Sequence, residues 1–201
     1  MVDHTYNLNG SHKPNLKRTA DRDGPDYFPT PGWATRALIM SETFKSDIWE
    51  PACGDGAMSR VLHETGLPVF SSDLYDRGFG RSGVDFLTAK KRATNIVTNP
   101  PYNAAEGFVK AGLRLTKQKL ALLLRLAVLE GVNRQKTIFL KTPPSRVWVF
   151  SERITFYPPG VVRAGSGTTA YAWFVWDKAT QGDHPEIRWL PSGLKARDAK
   201  R

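Results

Sequence analysis

Asp47-Ile48-Trp49-Glu50-Pro51-Ala52-Cys53-Gly54-Asp55-Gly56 is the stretch on which the fold turns. Its first four residues read as a short strand, and the Gly-rich turn 53–56 follows directly. Residues 57–65 then read as a helix ended by Gly66, a common helix stop. Strand, tight turn and helix in that order open a βα unit, and open α/β sheets bind ligands at such turns. Glycines there allow close approach of a backbone to a ligand. The spacing is not that of the dinucleotide fingerprint: Ala52 stands two before Gly54 and Ser59 three after Gly56. The Lys and Ser/Thr of a phosphate-binding P-loop are also missing. Acidic residues crowd the turn, which repels phosphate and suits the ammonium of an amino-acid ligand.

Outward from this turn, helix and strand patterns alternate. Residues 33–44 read as a helix before it, entered through the rigid Tyr27-Phe28-Pro29-Thr30-Pro31. After it come a strand over 68–72 ending in Asp73, a loop with Gly78, Gly80 and Gly83, and Val84-Asp85-Phe86-Leu87. A strand over 95–98 runs into Asn99-Pro100-Pro101-Tyr102. A helix over 104–116 and the apolar strand 119–124 follow. Such alternation argues for an α/β fold with a mostly parallel sheet covered by helices on both faces. The C-terminal part reads as strands over 146–150, 153–157 and 169–176, the last two pairing as a hairpin. Residues 1–26 read as a flexible, basic arm, 27–180 as the folded domain, and 181–201 as a basic tail.

The chain of 201 residues suits one α/β domain. It carries 29 Lys+Arg against 19 Asp+Glu, a net charge of +10. That excess points to a polyanionic partner, because neutralised phosphates release counterions. The single cysteine, Cys53, excludes an internal disulfide framework and a cysteine-based zinc site. No metal is expected, and a reducing cytoplasm suits the chain. No apolar run is long enough for a membrane span, and the polar start has no secretory pattern. Oligomeric state is not legible.

Asn99-Pro100-Pro101-Tyr102 is the sharpest chemical signal. The prolines fix the backbone, so the Pro100 carbonyl is held in place. The Asn99 side-chain oxygen can accept a second hydrogen bond beside it. Two such acceptors can grip an amino group through both N–H bonds and aim its lone pair at an electrophile. Tyr102 offers a flat face for a stacked base. Asp73, at the tip of the second strand, can bind the ribose hydroxyls of an adenosine-containing cofactor. Asp85 can accept from the adenine amino group, with Phe86 packing beside the ring.

Taken in order, these motifs resemble those of DNA adenine-N6 methyltransferases, most closely small phage-type enzymes. The resemblance covers roughly residues 27–178. It implies a Rossmann-like class I methyltransferase fold, with a mostly parallel seven-stranded sheet and a C-terminal antiparallel hairpin. It implies S-adenosylmethionine as cofactor and N6 of adenine in DNA as the methyl acceptor. Thr30 and Pro31 would lie against the methionine part, with Glu50, Ala52, Cys53, Gly54 and Gly56 wrapping the same end. Asp73, with Leu74 beside it, would bind the ribose, and Asp85 and Phe86 the adenine. Asn99, Pro100, Pro101 and Tyr102 would hold the target base, Asn99 also bordering the cofactor. Phe156 or Tyr157 would close the second face of that base. Arg77, Arg81 and Arg163 are the candidates for phosphate contact, whereas Lys90-Lys91-Arg92 reads as a solvated face.

The chain departs from the larger family members, which carry a separate target-recognition domain. Here only 131–145 and the termini are left for that task, so low or very short sequence specificity is expected. The first motif also differs from the commoner Phe-Gly-Gly form. Three alternatives stay open: an RNA adenine-N6 methyltransferase, a glutamine-N5 protein methyltransferase, and an inactive nucleic-acid-binding module. Cytosine-C5 methylation needs a cysteine nucleophile, and Cys53 lies in the wrong turn.

Overall fold

Ile48–Glu50 form β1 and are buried on both faces, as expected of a central strand in a covered parallel sheet. The computed structural model describes residues 27–157 and 167–198. The arm 1–26, Pro158-Pro159-Gly160, Arg163 and most of the turn 165–167 lie outside the described residues. β1 is followed by α2 (Ala57–His63), and α1 (Gly32–Ser41) precedes it. The other strands are β2 (Val69–Ser71), β3 (Ala93–Thr98), β4 (Thr116–Arg125), β5 (Arg146–Val149), β6 (Tyr171–Asp177) and β7 (Glu186–Trp189). They form one seven-stranded sheet in the order β2-β1-β3-β4-β6-β5-β7. Only β6 runs against its neighbours, pairing antiparallel with β4 and β5.

The sheet is covered on both faces, and the sequence of β4 shows how. Along Leu120-Ala121-Leu122-Leu123-Leu124 successive side chains point to opposite faces. Ala121 and Leu123 join the core under α1 and α2, together with Trp33, Leu38, Met58 and Trp173. Leu120, Leu122 and Leu124 join the other core under α3 (Ala105–Leu115), with Phe86, Phe108, Phe174 and Trp176. Full burial of each such side chain contributes about 1.5–3 kcal/mol, so a continuous apolar run is what a two-sided strand requires. Strand order reverses between β1 and β3, and the ends of those strands open the crevice used below.

Two expectations are corrected. Residues 153–157 form no strand and no hairpin with β6. Both edges of β6 are already taken by β4 and β5, so Ile154 drops into the core and Phe156 packs on Tyr171 without a ladder. β6 instead runs antiparallel to both β4 and β5. Of residues 181–201, read as a tail, the described part to 198 supplies β7 on the outer edge of β5 and α5 (Leu194–Asp198). α5 docks on α1: Asp198 accepts from the Trp33 backbone N–H at 3.0 Å and from the Arg36 guanidinium, which also pairs with Glu64. Among the described residues, no helix is long and apolar enough to cross a membrane.

Candidate active site

The turn after β1 is shaped by two glycines that no other residue could replace without strain. Gly54 has φ +54 and Gly56 φ +85, the left-handed region. The close approach they permit is to aromatic rings of this chain. A Cβ on Gly54 would meet the Tyr27 ring at 2.2 Å, and one on Gly56 the Phe79 ring at 2.5 Å. Tyr27 is anchored there, its hydroxyl accepting from the Asp55 N–H at 2.9 Å. Arg77 covers it, with the guanidinium carbon 4.5 Å from the ring centroid. Gly54 thus seats Tyr27 as one wall of a cavity of about 260 Å³ at the ends of β1 and β3.

That cavity gathers most of the residues singled out from sequence. Thr30, Glu50, Ala52, Cys53, Asp73, Leu74, Arg77, Asp85 and Phe86 line it, with Asn99, Pro100, Pro101 and Tyr102. Pro31 sits one residue away as the cap of α1, its carbonyl accepting from the Ala34 N–H at 2.9 Å. Arg81 is exposed and bridges Ser72 through its backbone. Sequence reading missed Met58, Leu87 and Phe108 as lining residues. Leu74 and Leu87 are about half exposed at 48% and 42%. Large apolar side chains in a polar, Gly-rich loop were the signal for them.

Asp73 is 7% exposed. One carboxylate oxygen accepts from the Gly54 N–H and the other from the Tyr75 N–H, both at 2.9 Å. A carboxylate offers about four acceptor positions, so two backbone bonds fix its plane and leave capacity for a ligand's hydroxyls. Asp85 is held likewise by the Leu87 N–H at 2.9 Å and the Thr88 hydroxyl at 3.0 Å. Phe86 is wedged between Trp49 and Phe108, with centroids at 5.2 and 4.9 Å, and so is core as well as cavity wall. Burial pushes the Glu50 carboxyl well above the usual carboxylate range, against a bond from Ser59 and with the help of Asp73 and Asp55.

Burial, with the nearby Glu50 and Asp73, pushes the Cys53 thiol up to about 12. Thiolate is the reactive form, so Cys53 should react with an aromatic disulfide reagent only after denaturation. Rapid labelling of the native protein at mildly alkaline pH would contradict this.

Asn99 presents the decisive geometry. Its side-chain nitrogen donates to Thr30 Oγ1 at 3.0 Å, which orients the amide and leaves its oxygen free to accept. That oxygen, Oδ1, is buried and has no hydrogen-bond partner. Five buried side-chain oxygens lack a partner among the described residues, and only that of Asn99 belongs to a cavity-lining residue. An unpaired buried acceptor costs about 1–3 kcal/mol. A ligand bearing an N–H would satisfy it.

Tyr102 opens a short 3₁₀ turn ahead of α3. Its hydroxyl accepts from Tyr171 at 3.0 Å. Phe156 meets Tyr102 edge-on, with centroids 6.5 Å apart at 77°, and packs on Tyr171 at 5.0 Å. Tyr157 follows, half-buried. Arg125, at the end of β4, lies over the Tyr102 ring with its guanidinium carbon 4.0 Å from the centroid. Neither Arg125 nor Tyr171 was singled out from sequence.

No protein-family model matches the sequence, and no curated protein matches it. Solved structures do match in fold. A modification subunit attributed to a type I restriction enzyme from Vibrio vulnificus is 16% identical with a TM-score of 0.57. That match covers 83% of this chain and 48% of that one, so this chain spans about half of its length. The 23S rRNA methyltransferase ErmE is 15% identical with a TM-score of 0.53, covering 87% of this chain and 76% of that one. A dimethyladenosine transferase from Plasmodium falciparum is 15% identical with a TM-score of 0.52, covering 76% and 62%. The chain therefore has the Rossmann-like fold found in these methyltransferases.

Proposed function

We propose that this protein is an S-adenosylmethionine-dependent methyltransferase acting on N6 of adenine in DNA. The unpartnered side-chain oxygen of Asn99, a residue that lines the cavity, is the observation that carries the reading. The ordered motifs shared with small phage-type adenine-N6 enzymes support it, as do the net charge of +10 and the fold. The target we expect is a very short motif or many adenines, since the described residues form one sheet with its covering helices. RNA as substrate is a second outcome of the same assay, favoured by the fold shared with two enzymes whose names specify ribosomal RNA or dimethyladenosine.

Asp73 fits the cofactor, since its carboxylate keeps acceptor capacity for ribose hydroxyls beyond its two backbone bonds. S-adenosylmethionine supplies a methyl group already activated as a sulfonium. The protein's own task is alignment. Asn99 Oδ1 and the Pro100 carbonyl accept the two N–H bonds of the target amine, turning its lone pair toward the methyl donor. Tyr102 stacks on the base. Asn99 is neutral and takes no proton, so the surplus proton leaves to solvent. A base inside a duplex cannot reach these groups and must be flipped out or already single-stranded.

Calorimetry tests the cofactor half. S-adenosylmethionine or its demethylated product should bind, and Asp73→Ala should weaken binding on the order of ten-fold or more, because a bond to a charged acceptor is worth about 1.5–3 kcal/mol. No binding to folded wild-type protein, or an unchanged affinity for the variant, would count against the assignment.

A further inference from the structure

We propose that Arg125 is the phosphate anchor of the substrate site and covers the face of Tyr102 until a base displaces it. The inference rests on the nucleic-acid reading of the site. Arg125 is the last residue of β4, opposite Tyr171 in the ladder, and its side chain is exposed. Its guanidinium lies 4.0 Å from the Tyr102 centroid. Among the described residues no carboxylate pairs with it, whereas Arg36 and Arg146 each have two and Arg188 has one. An arginine with no carboxylate partner, beside the tyrosine meant to receive a base, is a cation placed for a polyanion.

The chemistry favours exchange. A planar guanidinium can lie flat on an aromatic ring and can also form the two-pronged bond to a phosphate. An exposed cation–ring contact is weaker than the stacking of a nucleobase on the same ring. A base arriving on Tyr102 therefore wins the ring, and the freed guanidinium takes a phosphate of the incoming strand. Tyr102 itself does not move in this exchange, because Tyr171 holds its hydroxyl and Phe156 its edge. Arg125 is thus a positioning residue and touches no reacting atom.

The test uses the whole chain with saturating S-adenosylhomocysteine and a fluorescein-labelled single-stranded oligodeoxynucleotide containing adenine. Binding is measured across a range of salt for wild type, Arg125→Gln and Arg125→Lys, with melting temperature for each. Arg125→Gln should bind several-fold more weakly at low salt, and the slope of log affinity against log salt should shrink by about one. Arg125→Lys should keep the wild-type slope, and all three should melt together. A glutamine variant with the wild-type slope overturns the proposal, and so does a loss of affinity that tracks a loss of melting temperature. Absence of binding by wild type at every salt would instead remove the nucleic-acid reading on which the proposal stands.

Discussion

Replacing Asn99 with alanine should slow single-turnover methyl transfer on the order of 100-fold or more while leaving S-adenosylmethionine affinity nearly unchanged. An aimed hydrogen bond that matters in the transition state is commonly worth about 2.7–4 kcal/mol. Asn99 is built to aim one. Its nitrogen is tied to Thr30 Oγ1 and its oxygen has no partner in the cavity. The alanine variant loses that acceptor and the bond to Thr30, whose net contribution to stability is only about 1 kcal/mol. Thr30→Val separates the two effects. It keeps the acceptor but frees the amide to rotate, so its rate should fall less than that of Asn99→Ala. If the tetrapeptide were only a turn, Asn99→Ala would lower the melting temperature and leave the rate per folded molecule intact. Single-turnover rate, cofactor affinity and melting temperature on the same variants distinguish these outcomes.

The second large effect lies at the opposite end of the sheet. Glu42 is 5% exposed. It accepts from Lys119 Nζ at 2.7 Å, from Trp148 Nε1 at 2.8 Å and from Arg146 through both Nε and Nη2. Asp177 completes the group, 2.8 Å from Arg146 and 3.4 Å from Lys119. The network ties the end of α1 to β4, β5 and β6. Glu42→Ala leaves two partly buried cations with one carboxylate between them, and removing one partner of such a group costs about 3–5 kcal/mol. Activity per folded molecule should not change, because Lys119 lies in the first half of β4 whereas the cavity lies past the far ends of the strands.

The same network sets an acid limit. Burial alone would raise the Glu42 carboxyl, but the bonds from Arg146, Lys119 and Trp148 outweigh it and hold it below the usual range. Asp177 is lowered likewise against its burial, chiefly by Arg146. A carboxyl lowered in the folded state stabilises fully above its unfolded value, about 4.3 for glutamate. That contribution is lost as pH falls through the lower folded value. Urea unfolding between neutral pH and about pH 3 should show wild type losing stability over this window and Glu42→Gln losing less. Equal pH slopes, or an alanine variant within about 1 kcal/mol of wild type, would mean that the network contributes no more than an exposed pair.

Sequence carried the site better than the C-terminal fold, for physical reasons. The turn 53–56 and the apolar run 120–124 are local signals: a left-handed backbone demands glycine, and two-sided burial demands unbroken hydrophobicity. Asn99 and Asp73 were legible because each follows a strand end that the fold turns toward one crevice, and Asp85 because the loop between β2 and β3 returns to the same crevice. Residues 153–157 misled because Ile154 and Phe156 alternate like a strand. Alternation shows that side chains are buried on one side, but a ladder also needs a free edge, and β6 has none. β7 was hidden because Glu186-Ile187-Arg188-Trp189 is exposed along its length and takes its backbone partners from β5. The contact of Arg125 with Tyr102 joins the ends of β4 and β3, and no local pattern encodes such a meeting.

The most direct test of the account is product identification. Purified protein is incubated with S-adenosylmethionine carrying a labelled methyl group and a panel of single- and double-stranded DNA and RNA. The nucleic acid is then digested and the labelled nucleoside identified. The account predicts label in N6-methyldeoxyadenosine from DNA. Label in C5-methylcytosine, or no labelled nucleoside from any substrate with folded protein, would contradict it.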